Sequence, residues 1–319
     1  MTLTQPDFDI EPMLTPREVD ATGIRVFPIA FDGCVLGWVT GPDKAREVLD
    51  RFRAIGGNFV STADHYAGGR SEIMIGEWLR STDRAGVIIA TKVGRHPDSP
   101  GLHRAAILHS VHASLERLGT DYIDLLSFDG DLLGSDHEEA FAAVGELIQA
   151  GKVRFLSAAH FSGARLRELN AAAGSEGHPT FRAGLAEYSL MVRSAFETDL
   201  APAAAELGMA LFARLPLASG FLSGEVRSKT DLPANPLFDG ALQHVGRRGF
   251  KVLDALGPIA AEHGTTSASI ALAWLLGKPG VTAAIVRIYN LDALHDGLIG
   301  TSIQLTRHQV AVLDDASRR

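Results

Sequence analysis

The sequence has little of several features that would assign it to common protein classes. It has one cysteine, Cys34, among 319 residues, so an internal disulfide framework is excluded and a reducing cytoplasm is the expected compartment. Lysine and arginine total 30 against 38 acidic residues, which argues against nucleic acid or an anionic membrane surface as a partner. No apolar run approaches the roughly 20 residues needed to span a bilayer, and the start lacks the basic-then-apolar layout of a signal peptide. We therefore expect a soluble cytoplasmic protein that binds a small molecule.

Motifs for dinucleotide, phosphate and metal binding are also missing. The chain has no Gly-x-Gly-x-x-Gly after a strand, no phosphate-binding loop of the Gly-Lys-Ser/Thr type, no Cys-x-x-Cys pair and no His-Glu-x-x-His helix. Histidines 103, 109 and 112 share one predicted helix, but a metal site needs further ligands, and a solvated helix face is the simpler interpretation. We therefore expect no metal.

What the chain does have is a regular alternation of short apolar segments with amphipathic helical patterns. The apolar segments do not alternate with polar residues, which is typical of strands buried on both faces. Eight such units in one chain, 46% of it apolar, predict an α/β fold, a single-domain (β/α)8 TIM barrel over residues 1–319, rather than an open doubly wound sheet. The predicted strands are Pro28–Phe31, Asn58–Ser61, Val87–Thr91, Tyr122–Ser127, Val153–Ala158, Arg182–Glu187, Ala210–Leu215 and Val281–Val286.

Four segments lie outside the repeating units. Residues 1–15 are polar and are expected to form a loose tail, and Arg17 to Val26 predicts an N-terminal hairpin. Thr306 to Ser317 predicts a C-terminal extra helix with Thr306 as its N-cap. Residues 219–249 show no clear period and follow the seventh strand. Because loops of that length in a compact domain are usually lids or binding loops, we expect this one over the active-site face.

The most informative stretch runs from Gly57 to Tyr66 and continues with Thr91-Lys92-Val93-Gly94. Catalytic groups of a barrel collect at the C-terminal ends of its strands, so Tyr66 and Lys92 are predicted to share one rim. A phenol has a pKa near ~10, and a neighbouring ammonium favours its ionised form, so such a pair can exchange protons with a substrate. The alternative is that both are hydrogen-bonding residues of the rim.

This stretch resembles the aldo-keto reductase family, whose pattern here is Asn-Phe-Phe-Asp-Thr-Ala-x-x-Tyr, then Thr-Lys. The resemblance extends over about residues 17–317, through further segments that are similar to family signatures. These are Gly68-Gly69-Arg70-Ser71-Glu72, Leu115 to Leu125, Gly151 to Phe155, Glu187 to Leu190, Pro216 to Gly224 and Ala271 to Leu276. The resemblance implies a barrel that reduces a carbonyl with NADPH. Tyr66 would be the proton donor, tuned by Lys92 and an aspartate, and a histidine would orient the substrate.

Two of the family's catalytic residues are replaced. Ser61 stands where the family has its aspartate, and Asp129 stands where it has its histidine. The second change exchanges a potential neutral donor for an acceptor that is normally anionic. One hypothesis is that Asp129 restores, from across the barrel, part of the charge missing at Ser61. The alternative is a solvated loop carboxylate.

The positions that the resemblance assigns to the cofactor also differ. Where the family has Gly-Val-Ser-Asn-Phe, with serine and asparagine holding the nicotinamide amide, this chain has Ser157-Ala158-Ala159-His160-Phe161. The other replacements are Leu185 for a glutamine, Leu215 for a pyrophosphate serine, Arg287-Ile288-Tyr289 for Gly-Ala-Arg, and Gly297 for an adenine-pocket asparagine. Each lost hydrogen bond costs about 1 kcal/mol, so five or six would reduce affinity by several factors of ten.

We therefore expect either no cofactor or weakly bound NADP(H). Its candidate contacts are Tyr188, the retained residue implied to stack on the nicotinamide, together with Leu217, Ser219, Arg214 and Arg287.

New polar residues are predicted at the same rim. A ring of Asp32, Tyr66, Lys92, Asp129, His160, Arg214 and Arg287 would suit acid–base work on an anionic or polyoxygenated substrate. The alternative is that aspartates and arginines only neutralise each other there. With Ser61 added, the candidate catalytic residues are Asp32, Ser61, Tyr66, Lys92, Asp129 and His160.

Three functions stay open at this point. The first is an enzyme that has given up hydride transfer and uses Tyr66 and Lys92 with Asp129 or His160 for elimination, isomerisation or cyclisation. The second is an NADPH-dependent carbonyl reductase with a weakened hold on its cofactor. The third is a non-catalytic binding barrel. The sequence identifies neither the substrate nor the oligomeric state.

Overall fold

The computed structural model describes residues 15–19, 22–130, 136–232 and 235–318. Eight of its strands lie within two residues of the predicted ones. They are β3 (Ile29–Asp32), β4 (Phe59–Ser61), β5 (Ile88–Val93), β6 (Ile123–Asp129), β7 (Val153–Ala159), β8 (Phe181–Glu187), β9 (Ala210–Arg214) and β10 (Val281–Val286). All pair in parallel and close into a barrel in the order β10-β3-β4-β5-β6-β7-β8-β9. The predicted (β/α)8 barrel is confirmed.

Ten α-helices accompany the strands in the described part of the chain. They are α1 (Pro42–Ala54), α2 (Arg70–Leu79), α3 (Arg104–Leu118), α4 (His137–Gln149), α5 (Gly163–Ser175), α6 (Ala201–Leu207), α7 (Arg247–Glu262), α8 (Ser267–Leu276), α9 (Leu291–Ser302) and α10 (Arg307–Ser317). Several begin at side-chain caps; the α10 cap is reciprocal, because Thr306 accepts from the Gln309 N–H and Gln309 accepts from the Thr306 N–H. None of the described helices has the length and apolar character needed to cross a membrane.

The outer core lies between the barrel and its helices. Helix α1 buries apolar side chains there, and Val48, Leu49 and Phe52 are fully inaccessible. Phe141 of α4 packs on Phe181 of β8 with ring centroids 5.4 Å apart. The helical apolar stripes are therefore used as the sequence predicts, to cover the outside of the barrel.

The inner core fills the barrel and continues into the predicted hairpin, β1 (Arg17–Val19) and β2 (Ile24–Val26), whose strands pair antiparallel. The apolar residues of the hairpin, Val19, Ile24 and Val26, belong to the same buried cluster as Phe59 and Phe212 inside the barrel. The hairpin therefore closes the end of the barrel opposite the C-terminal ends of the strands.

The segment after β9 is longer than any other connection. It contains short 3-10 turns at Phe221–Ser223, Lys229–Asp231 and Pro236–His244 before α7 begins at Arg247. The Leu237 carbonyl of this segment accepts a hydrogen bond from Arg287 at the C-terminal end of the barrel. Of the predicted tail, only residue 15 lies among the described residues.

Candidate active site

The inward-facing side chains near the C-terminal ends of the strands change abruptly in character. An apolar residue is followed, two positions later, by a polar or charged one. The buried cluster inside the barrel includes Ala30, Phe59, Ala90, Leu185, Phe212 and Ile285. Successive side chains of a strand point to opposite faces, so the residues two positions further on also face inward. Together with Asp129, which follows Leu125 of the same cluster by four positions, they form the rim ring: Asp32, Ser61, Lys92, Asp129, Glu187, Arg214 and Arg287.

The rim ring holds three carboxylates and three basic groups, all contributed by strands or their C-terminal ends. Three of these groups are deeply buried, with Asp32 and Lys92 2% exposed and Asp129 7% exposed. An isolated buried charge costs several kcal/mol, so the opposite charges of the ring stabilise one another. The rim ring as a whole has as many carboxylates as basic groups, and it includes five residues of the predicted ring: Asp32, Lys92, Asp129, Arg214 and Arg287.

Tyr66 and Lys92 lie together at this rim. The Lys92 Nζ donates a hydrogen bond to the Thr62 carbonyl at 2.5 Å and lies 4.7 Å from the centroid of the Tyr66 ring. Burial and the nearby Arg214 lower the pKa of Lys92 to about 8, against the opposing effect of Asp32. Burial, followed by the charge of Asp32, raises the pKa of Tyr66. At neutral pH the tyrosine therefore keeps its proton and can act as an acid.

The loop that carries Tyr66 is fixed by its own hydrogen bonds. The Thr62 N–H donates to the main-chain carbonyl of Ala90, and the Asp64 N–H donates to the main-chain carbonyl of Lys92. The loop therefore continues the pairing of β4 with β5. Beneath it, Ser71 Oγ donates to the Gly33 carbonyl at 2.8 Å and accepts from the Thr62 hydroxyl at 2.7 Å. The position of Tyr66 is therefore set by rigid elements, as a catalytic side chain requires.

Asp129 ends β6 with an oxygen that no donor occupies. The Arg95 Nε lies 3.2 Å from Asp129 Oδ1, but its N–H donates to the main-chain carbonyl of Asp129 at 3.1 Å. The contact with the carboxylate is therefore an ion pair without a hydrogen bond, and Oδ1 makes none to any described residue. A buried carboxylate oxygen left in this way is available to a ligand.

His160 follows β7 with a left-handed backbone, φ 69°. This conformation is uncommon for a residue with a side chain. The Arg214 Nη1 donates to His160 Nε2 at 2.7 Å, so the ring proton of the neutral imidazole lies on Nδ1. Burial, followed by the charge of Arg214, lowers the pKa of His160 to about 4. His160 is therefore a neutral acceptor for Arg214 at physiological pH.

Two members of the site were not among the residues singled out from the sequence. Glu187 is the last inward residue of β8, and burial raises its pKa against the opposing charges of Arg214 and Arg287. Cys34 follows Asp32, whose Oδ1 accepts the Cys34 N–H at 3.1 Å, and burial raises the pKa of its thiol. The signal for Glu187 was present in the sequence, because it lies two positions after Leu185 on the inward face.

Tyr188 is not brought to the rim ring. Its ring stacks on Phe196 at 4.0 Å with an interplanar angle of 9°, and its hydroxyl donates to Glu197 Oε1 at 2.7 Å. Trp274 of α8 packs against the same ring with centroids 5.6 Å apart. Tyr188 follows the inward-facing Glu187 by one position, so the alternation of β8 directs it to the helices.

A cavity of about 200 Å³ adjoins the ring between the segments that follow β9 and β10. Three predicted cofactor contacts line it, Leu217, Ser219 and Arg287. The Arg287 Nη1 donates to Leu237 at 2.5 Å, whereas its Nε makes no hydrogen bond to any described residue. Among the described residues, the remaining charged members of its lining are all acidic: Glu225, Asp292 and Asp296.

Comparison with known proteins assigns the fold to a family. The sequence profile of the aldo/keto reductase family matches residues 34–318. The chain belongs to this family. It is 30% identical to the aldo-keto reductase ausK of Emericella nidulans, over 92% of this chain and 78% of that protein. It is also 30% identical to a putative aryl-alcohol dehydrogenase of Saccharomyces cerevisiae, over 92% of this chain and 83% of that protein.

Not all similar proteins have names that describe an enzyme. The chain is 29% identical to a probable voltage-gated potassium channel subunit beta of Arabidopsis thaliana, over 84% of this chain and 85% of that protein. The aldo-keto reductase family predicted from the sequence is confirmed. Since one fold serves several activities in this group, the function of this member must be argued from its own rim ring.

Proposed function

We propose that this aldo-keto reductase family member catalyses proton transfer, without hydride transfer, on a small oxygenated substrate. The observation that carries the proposal is an acid and a base at one barrel mouth. Tyr66 keeps its proton at neutral pH, and the buried Asp129 presents an oxygen without a hydrogen bond. Besides burial, the charges of Asp32 and Asp129 raise the pKa of Tyr66, so both carboxylates lie close enough to act on the phenol electrostatically.

The chemistry that suits this arrangement is removal of a proton from a carbon next to a carbonyl. The Tyr66 O–H donates to the carbonyl oxygen, and Asp129 takes the proton from the neighbouring carbon. The electron pair of the broken C–H bond forms a C=C bond, the π pair of the carbonyl moves to its oxygen, and that oxygen takes the Tyr66 proton to give an enol. Return of the proton to another carbon is isomerisation, and loss of a β-hydroxyl as water is dehydration. Lys92 and Arg214 stabilise the negative charge that develops on oxygen.

The nicotinamide end of NADP(H) finds few partners among the residues present. Of the three positions that hold the amide in the family, Ala159 and Leu185 carry no hydrogen-bonding side chain and are buried. The third is His160, whose Nε2 already accepts from Arg214 at 2.7 Å. A buried amide without partners costs about 1–3 kcal/mol for each unpaired group. These residues are a poor match for a nicotinamide.

The phosphate end is opposed by charge. In the cavity beside the ring, the part of the lining that the structure describes has one basic residue, Arg287, against the carboxylates of Glu225, Asp292 and Asp296. A 2′-phosphate carries about two negative charges at neutral pH, and like charges at short distance weaken its binding. This lining supports the expectation of absent or weak NADP(H) binding, so no step of the proposed reaction uses the cofactor.

The second candidate is an NADPH-dependent carbonyl reductase. It is favoured by the retained pair of Tyr66 and Lys92 at 4.7 Å and by the dehydrogenase and reductase names of similar proteins. In this alternative Leu217, Ser219 and Arg287 would hold the cofactor beside the rim, and Tyr66 would protonate the oxygen that becomes an alcohol.

The first experiment is a calorimetric titration of the purified protein with NADPH, NADP+ and NADH. We expect no binding up to millimolar cofactor, which leaves Tyr66 and Asp129 without a hydride source. Binding at micromolar concentration or tighter would contradict the proposal and favour the reductase. The matched control is Asp292→Lys, which adds a positive charge to the cavity lining; a gain in NADPH affinity in this variant would show that acidic charge had excluded the cofactor.

The second experiment measures the proposed step directly. The protein is incubated in D₂O with a panel of small carbonyl compounds that includes dihydroxyacetone, and deuterium incorporation at the carbon next to the carbonyl is followed by NMR. We expect incorporation with the native protein and a loss of rate in Asp129→Asn. Incorporation that Asp129→Asn leaves unchanged would remove Asp129 from the reaction. Absence of incorporation and of cofactor binding would favour the non-catalytic barrel.

A further inference from the structure

His65 lies directly before Tyr66, and both of its ring nitrogens face carboxylates. Its Nδ1 is 3.2 Å from Asp64 Oδ1, and its Nε2 is 4.0 Å from Asp129 Oδ2. The side chain is 25% exposed, whereas Asp64 and Asp129 are buried. The imidazole therefore connects the interior of the rim ring with solvent.

Asp64 fixes the state of this imidazole. Its carboxylate is fully buried, Oδ1 accepts from His65 Nδ1, and Oδ2 makes no hydrogen bond within the described part of the chain. A buried carboxylate next to a histidine holds the ring proton on the near nitrogen. The neutral form of His65 therefore carries its proton on Nδ1 and directs the lone pair of Nε2 toward Asp129.

The distance between His65 Nε2 and Asp129 Oδ2 is consistent with two hydrogen-bond acceptors that have no proton between them. In the neutral ring Nε2 is an acceptor, and an ionised Asp129 Oδ2 is also an acceptor, so the two do not approach. Their separation of 4.0 Å is longer than a hydrogen bond. A proton that arrives on either group turns the pair into donor and acceptor, directly or through one water molecule.

We infer that His65 is the proton shuttle of Asp129, an inference that rests on the proposed proton-transfer function. Asp129 takes the proton from the substrate carbon on Oδ1, a half-turn of the carboxyl about its Cβ–Cγ bond brings the protonated oxygen to the position that faces His65, and the proton then passes to His65 Nε2. It leaves an imidazolium between the carboxylates of Asp64 and Asp129, and the imidazolium returns it to solvent or to product. Only a proton moves in this relay, and no atom of Asp129 or His65 changes its oxidation state. His65 acts through Asp129 and is a positioning and relay residue.

The second histidine beside Asp129 cannot do this work. His160 Nε2 lies 3.6 Å from Asp129 Oδ1, but the same nitrogen accepts from Arg214. Its lone pair is therefore already used, and a proton added there would face the guanidinium. The two histidines that flank Asp129 differ in their other neighbour. For His65 this neighbour is the carboxylate of Asp64, and for His160 it is the guanidinium of Arg214.

The first test does not depend on activity. The ¹⁵N NMR shifts of the His65 ring, assigned by comparison with His65→Gln, report which nitrogen carries the proton. We expect the neutral ring to be protonated on Nδ1, with a bare Nε2. A neutral ring protonated on Nε2 would overturn the inference, because such a nitrogen donates to Asp129 and cannot receive its proton.

The second test uses the deuterium-exchange assay with dihydroxyacetone and the same carbonyl panel. We expect His65→Gln to lose rate by on the order of 100-fold, the lower range of general acid–base effects, and added imidazole to restore part of it. The control is His109→Gln, on the exposed face of α3, for which no loss is expected. Rescue by imidazole separates a missing proton carrier from a disturbed fold.

The outcomes distinguish the two levels of the proposal. If Asp129→Asn abolishes exchange and His65→Gln leaves it unchanged, the shuttle is wrong and the proposed function stands. If the native protein exchanges no proton and reduces a carbonyl with NADPH instead, the proposed function fails and the shuttle fails with it.

Discussion

Two layers of the barrel interior are built by the same strands, two residues apart, and differ completely in chemistry. The first layer, called the floor below, is the apolar cluster inside the barrel that includes Ala30, Phe59, Ala90, Leu185, Phe212 and Ile285. It is close-packed, with the ring centroids of Phe59 and Phe212 4.8 Å apart. The rim ring, about 7 Å further along the strands, holds six charged side chains around Ser61. Side chains of a strand point alternately into and out of the barrel, so each strand contributes one inward-facing residue at each level. The chemical character of the rim ring is therefore set by one residue per contributing strand.

The two layers contribute to folding in opposite ways. The floor supplies apolar burial, which is the main favourable contribution to folding. The rim contains buried charges such as Asp32 and Lys92, each 2% exposed, whose removal from water opposes folding unless it is compensated. Changes at the rim should therefore alter activity more than stability, and changes in the floor should do the reverse.

Activity should depend most strongly on Tyr66 at the rim. Tyr66→Phe removes the acid while keeping the ring that Lys92 contacts. We expect activity in the exchange assay to fall by about 10²–10⁴-fold, the usual contribution of a positioned acid. The midpoint of thermal unfolding should stay close to that of the native protein. Full activity in this variant would contradict both the proton-transfer and the reductase functions.

The corresponding change in the floor should show the opposite pattern. Phe212→Ala removes a fully buried ring that packs on Phe59 inside the barrel, and we expect the free energy of unfolding to fall by about 3–5 kcal/mol. Urea denaturation measures this, and Phe212→Leu is the control with a smaller loss. Activity per folded molecule should persist. A loss below about 1 kcal/mol would mean that the floor collapses around the missing ring.

The free energy cost of burying a charge at the rim can be measured at Lys92. Its pKa is lowered to about 8 in the fold, so between pH 8 and its ordinary value of ~10.5 the unfolded chain binds more protons than the folded chain. The free energy of unfolding of the native protein should therefore rise with pH in this window, by on the order of 3 kcal/mol, relative to Lys92→Met. Denaturation at pH 7, 9 and 10.5 measures the difference.

A variant that returns the family's residue sharpens this result. Ser61→Asp places a carboxylate on β4, beside β5, where the family has its aspartate. An added negative charge favours protonated Lys92, so the dependence of stability on pH should become flatter than in the native protein. An unchanged dependence would mean that the existing carboxylates of the rim already satisfy the lysine.

Much of this fold and part of this site were predictable from the sequence, for one physical reason. Strands buried on both faces give continuous apolar segments, so the barrel and its strand bounds followed to within two residues. The rim positions of Tyr66, Lys92 and Asp129 followed from the rule that catalytic groups lie at the C-terminal ends of strands. Glu187 was missed, although the alternation that brings Leu185 inside also brings Glu187 inside.

Other features depend on backbone angles that a residue pattern does not reveal. His160 adopts φ 69°, and this conformation accompanies its pairing with Arg214, so its position after β7 did not predict its partner. The contact of Asp64 with His65 depends on the rotamers of adjacent loop residues, which the sequence does not reveal. Side chains in loops of this kind are positioned by tertiary contacts rather than by local preference.

A much weaker effect is expected at Tyr188, which follows β8 and points outward to the helices. Its ring lies between Phe196 and Trp274, so Tyr188→Phe should keep the stacking and lose only the hydrogen bond to Glu197. Because Glu197 retains its ion pair with Arg193 at 2.8 Å, the free energy of unfolding should fall by about 1 kcal/mol. The rate of deuterium exchange and the affinity for NADPH should not change.

The value of this variant lies in its contrast with Tyr66→Phe, which makes the same chemical change at the rim, in the turn that follows β4 on the other side of the barrel. Both substitutions delete one phenolic oxygen. The inner one is expected to remove activity at constant stability, whereas the outer one should reduce stability at constant activity. If Tyr188→Phe instead weakened the binding of NADPH, the ring would have to leave Phe196 and turn toward the rim in the bound protein, and the separation between the outer packing layer and the rim ring would not hold at β8.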